Sequence, residues 1–202
     1  MLNIEKNTIV DLSSTEIEFA HLIAKLRNAS SRKQNIKDMK QDKSRTSLEI
    51  DQDGAEAEVV FYKSVGRYPE YLFNISPKSK ASGTDSGDAF IDGYAFDVKT
   101  TKYVTGKLIQ SGSVKETAVD IYCLIIKEGS QHLQHRYRIA GFYPAKMLVC
   151  PERYGNHFPG RPCYVATQSE LLSYNDCLKN ISLSQKKELT RISELSSICV
   201  VN

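Results

Sequence analysis

The chain has 202 residues, 41% apolar and 25% charged, with a net charge of +3, a size and balance that suit one domain with a sizeable core. It contains no run of about 18 apolar residues, which excludes a membrane-spanning helix. The opening "MLNIEKNTIVDLSS" has no basic region ahead of an apolar stretch, so no secretory signal is expected. The five cysteines form no CxxC pair and no framework spacing, which predicts reduced thiols and a cytoplasmic protein.

In chain order, Ser13 to Arg27 reads as a helix. Ser13 and Glu16 fit a capping box, and Phe19, Leu22, Ile23 and Leu26 recur at helical spacing. Residues 28–48 are polar and basic and read as a loop or loosely held helix. Between Lys25 and Arg45 lie eight cations, among them Arg32, Lys33, Lys37 and Lys40, against Asp38 and Asp42 only. Such a stretch suits a phosphate-rich partner and equally suits a solvated connector. A second helix is expected to begin near Gly54, capped by Asp51 or Asp53, and to end near Gly66. "SPKSKASGTDSG" is a turn-rich loop. Strands are expected at Asp88–Ile91, at Tyr94–Tyr103 and at "AVDIYCLIIK", the last central and buried on both sides. "RYRIAGFY" should pair beside it, with a short helix from Pro144 through Leu148. Residues 151–163 read as loop, followed by one strand or turn at "CYVAT" and one or two helices ending near Ile198.

The stretch "GDAFIDGYAFDVKTT" carries the chemistry. Asp92-Gly93 is a two-residue hairpin turn signal. Around it Ala89 faces Phe96 and Asp88 faces Asp97, while the strand period puts Lys99 beside Asp97. Tyr94, Phe96 and Val98 then point the other way, into packing. Two facing carboxylates repel. Either a divalent cation offsets the repulsion, or Lys99 neutralises the pair as a surface cluster. In the helix before the hairpin, Glu58 shares a face with Ala55, Phe61, Tyr62 and Val65, where a carboxylate needs a partner. Glu56 belongs to a wetter face with Asp53 and Lys63.

A helix with "GxxxE", an Asp, a short hairpin and "DVK" followed by Thr-Thr resembles the PD-(D/E)xK nuclease superfamily, and within it small phage or mobile-element nucleases. The resemblance spans Ile17 to Leu148. It implies an α/β fold with a restriction-endonuclease-like core, a four-stranded mixed central sheet flanked by helices. It also implies metal-binding acids Glu58, Asp88 and Asp97, with Lys99 as the catalytic lysine. Gly87 stands where the superfamily's name expects proline, and Asp85 or Asp92 are alternative partners for Asp97. The expected activity is Mg²⁺-dependent cleavage of DNA phosphodiester bonds, with Mn²⁺ able to substitute, in a prokaryotic or phage-infected cytoplasm. Lys102 is expected at phosphate, along with the basic stretch. The alternative is a non-catalytic nuclease-fold module that binds nucleic acid or a host protein. DNA is the expected partner and a second copy of the chain a further candidate; neither a membrane nor a nucleotide cofactor is expected. The chain divides into an N-terminal helix and basic connector at 1–50, a nuclease-like core at 51–150, and a C-terminal part at 151–202 packing on that core.

Overall fold

A computed structural model describes residues 3–33, 44–67, 87–113, 118–131, 134–158 and 161–182. Strand β1 is Thr8–Ser13 and helix α1 is Ser14–Lys33. Helix α2 is Ser47–Ser64, β2 Ala89–Ile91 and β3 Tyr94–Thr101. Then follow β4 (Leu108–Ser111), β5 (Ile121–Gln131), β6 (Gln134–Pro144) and the short helix α3 (Ala145–Leu148). Strands β7 (Tyr154–Phe158) and β8 (Arg161–Ala166) and helix α4 (174–182) complete the described chain. The architecture is mixed α/β, as expected, but the central sheet has five strands rather than four, in the order β1-β6-β5-β3-β2. The added strand is β1, whose Thr8 pairs with Ile139 of β6. A second sheet has the order β4-β8-β7; its β7 and the start of β8 stand where a loop was expected at residues 151–163.

β5 is the middle strand and alternates strictly. Ile121, Cys123 and Ile125 pack on one side of the sheet, Tyr122, Leu124 and Ile126 on the other. It runs parallel to β3 and antiparallel to β6. An apolar run without polar alternation is what a strand buried on both faces requires. The first face is covered by α1, α2 and α4, with Phe61 of α2 against Phe96 of β3 (ring centroids 5.1 Å apart) and Tyr174 of α4 against Phe142 (5.6 Å). The second face is covered by Leu108 of β4, Tyr164 and Ala166 of β8, and Leu148 of α3. Helices α1, α2 and α4 therefore flank the first face, while a sheet and the short helix α3 cover the second.

Candidate functional site

The hairpin forms in the expected register, with Ala89 opposite Phe96, Phe90 opposite Ala95 and Ile91 opposite Tyr94. Asp92 (φ 52) and Gly93 (φ 86) both take the positive φ that a tight primed turn demands. One step past Ala89, the Asp88 amide donates to Phe96 O at 2.6 Å, and the Asp88 carboxylate accepts from the Val98 amide at 2.6 Å. These two bonds bracket Asp97. The side chain of Asp88 thus continues the ladder where its strand ends. From the helix side, the Tyr62 hydroxyl donates to Asp88 O at 3.2 Å.

Asp97 pairs across the sheet with Tyr122, and Lys99 with Leu124. Both therefore point to the second face, away from α1 and α2. Asp97 is buried, and its Oδ2 lies 2.7 Å from Lys99 Nζ. That ammonium sits 5.9 Å from the centre of the Tyr122 ring. Asp97 and Lys99 form one patch, the Asp88 carboxylate accepts from the backbone amide of the residue between them, and each carboxylate has a donor of its own. The repulsion across the hairpin is eased by a backbone amide on one side and by Lys99 on the other.

Glu58 does not join this patch. It belongs to α2, on the opposite face of β3, where both oxygens of its buried carboxylate accept from Arg27 Nη1 at 2.9 and 3.1 Å. The structure answers the need of a carboxylate on an apolar face with a guanidinium from α1. Among the described residues, no three His, Cys, Asp or Glu side chains gather closely enough to hold a metal ion.

The wetter face expected for Glu56 is a correction: Glu56 is the more buried of the two, 2% exposed against 8%. Its carboxylate meets His21 Nε2 at 2.6 Å, Lys127 Nζ at 2.6 Å and the Tyr137 hydroxyl at 2.7 Å. Lys127 also reaches Asp53 at 3.1 Å, and Asp53 pairs with Arg45 at 2.7 Å. Burial alone would lower the Lys127 ammonium, but Glu56 and Asp53 outweigh it and the net direction is up. Burial, then the Glu56 charge, push the Tyr137 phenol up. Nothing in the sequence announced this cluster, because its members come from α1, α2, β5 and β6.

Of the expected nucleic-acid contacts, Arg32 and Lys33 are exposed in the last turn of α1. Lys37 and Lys40 lie outside the described residues. Lys102 is exposed just past β3, its Nζ 5.6 Å from the Tyr103 ring. With Arg45 and Lys127 it lines an open cleft of about 430 Å³. Comparison with protein-family models, with curated proteins and with solved structures finds no match to this chain.

Proposed function

We infer that the chain is a metal-dependent nuclease acting on DNA at the patch of Asp88, Asp97 and Lys99. One observation supports the reading: buried Asp97 holds Lys99 at 2.7 Å, and the Asp88 carboxylate accepts from the amide of the residue between them. Two carboxylates are a donor set that fits Mg²⁺, which keeps several waters and takes one or two protein oxygens. An ion held by Asp88 and Asp97 would supply positive charge to a phosphate and lower the pKa of a bound water, so that hydroxide would be available as the nucleophile. Lys99 would then serve as a donor toward charge developing on the phosphate oxygens. The cations Lys102, Arg32 and Lys33 would hold the backbone of the strand without reading its bases. As a third ligand Glu58 would have to leave Arg27 and also cross from the opposite face of β3.

That last requirement favours a second reading, a nuclease-fold module that binds nucleic acid without cutting it. Nicking of supercoiled plasmid with Mg²⁺ or Mn²⁺, with a chelator control, separates the two. The nuclease reading expects metal-dependent nicking that Asp97→Asn and Lys99→Ala each reduce by at least a hundredfold with the fold intact. Retained nicking in either variant would overturn the assignment of the site. DNA binding without nicking by the wild type would establish the second reading.

A further inference from the structure

Helix α1 covers the sheet with Ile17, Ala20, Ile23 and Ala24, all buried. A helix so placed normally turns a charged face to water. Here Phe19, Leu22 and Leu26 are 45%, 52% and 44% exposed. They repeat at three and four residues, the spacing of alternating a and d positions in a heptad. Thr15 and Ala29, also exposed, continue the row at either end. One flank of the row carries Glu18 and Lys25, both exposed and one heptad apart.

We propose that this row is a homodimer interface, in which α1 packs antiparallel on α1 of a second copy. The charge pattern selects that occupant. A two-fold axis perpendicular to both helices sets the same flank of each face to face, so the interface must complement itself. Centred between Phe19 and Leu22, the axis stacks Phe19 on Leu22 of the partner subunit. It also brings Glu18 within reach of Lys25 of the partner subunit, and symmetry repeats the pair. A parallel arrangement would instead use the other flank, where Ile23 is already buried in the core. One seam of about four helical turns buries less area than a stable dimer of standard size, so the association is weak and depends on concentration. The interface lies on the outer side of the helix layer, and its existence does not depend on the nuclease reading.

Sedimentation of the full chain from micromolar to millimolar concentration tests the proposal. The wild type should rise from monomer toward dimer mass. Leu22→Lys should stay monomeric throughout, with an unchanged circular dichroism spectrum and unfolding midpoint because the position is exposed. Glu18→Lys and Lys25→Glu should each weaken association several-fold, since each makes a like-charge pair. The double variant should recover it, and a mixture of the two single variants should form heterodimer in preference to either homodimer. A wild type that remains monomeric at millimolar concentration overturns the proposal. A dimer that persists in Leu22→Lys, or that ignores both single charge variants, overturns it equally.

Discussion

Gly87 and Gly93 flank the candidate site and both hold positive φ, +81° and +86°, but for different reasons. Gly93 has open space around it, and only the turn demands its conformation. At Gly87 an added Cβ would meet Phe96 O at 2.5 Å and Val119 Cγ1 at 2.9 Å. Proline, the residue that names the nuclease superfamily at this position, cannot reach that φ at all. The glycine lets the chain pass close under β3 so that the Asp88 amide and carboxylate both reach it. Gly93→Ala should cost about 1–2 kcal/mol, the penalty of a left-handed residue. Gly87→Ala should cost more, because Phe96 O is backbone and cannot step aside. Denaturant unfolding of both variants checks the order; equal costs would mean that the close approach carries no energy.

Helix α2 shows how one residue can hide an element's start. Gly54 interrupts the helical pattern and invites a boundary there, yet the helix begins seven residues earlier at Ser47. The signal is "TSLE". The Thr46 hydroxyl accepts from the Glu49 amide at 3.2 Å, and Glu49 Oε2 accepts from the Thr46 amide at 2.7 Å. This capping box satisfies two groups that would otherwise be orphaned and offsets the entropic cost of a glycine inside the helix. It also frees Asp51 and Asp53, expected as caps, for Asn28 and for Arg45 and Lys127. Thr46→Ala should therefore destabilise the protein by about 1 kcal/mol, measured by thermal unfolding; an unchanged midpoint would mean that the box is ornamental. The hairpin was legible at this scale because a two-residue turn fixes register locally. β7 was not, because Tyr154, His157 and Phe158 are all exposed and a strand without a buried face shows no alternation.

At the scale of the molecule, the second sheet is clamped to the first through Arg153. Its guanidinium lies 5.0 Å from the Tyr143 ring centre on β6 and donates to Val165 O at 3.0 Å and to Glu170 at 2.7 Å. The Arg153 hydrogen bond, then the Thr167 amide, hold the Glu170 carboxyl down at about 2, against an ordinary 4.5. Glu16 moves the same way. Burial alone would raise it, but bonds from Lys63 and Ser13 outweigh burial. A carboxyl whose folded pKa lies below its unfolded one adds stability above the unfolded value and loses it as pH falls through the folded value. For Glu170 that window runs from 4.5 down to about 2. The Glu170 side chain is 37% exposed, so solvent screening limits its share to about 1 kcal/mol or less. Urea unfolding across this range should show wild type more stable than Glu170→Gln above the window, and the difference gone at its lower end. A difference that persists at the lower end would show that the clamp does not depend on the carboxylate charge.

The sequence by itself determined what depends on neighbours along the chain: the α/β class, the two-sided β5 from its unbroken apolar run, the turn at Asp92-Gly93, and Lys99 beside Asp97 from the strand period. Tertiary structure alone decided which elements pack on which face of the sheet. That placement sends Glu58 to Arg27 rather than to the hairpin acids, and it buries Glu56 among His21, Lys127 and Tyr137. A helical wheel divides α2 into a wet and a dry face, but α2 is wedged against both α1 and the sheet, and every residue from Ala55 to Tyr62 is buried. A carboxylate in that wedge takes the partner that geometry brings, and those partners stand 31 to 81 residues away in the chain. No local pattern can encode such a choice, since the desolvation that forces it exists only once the layers have closed.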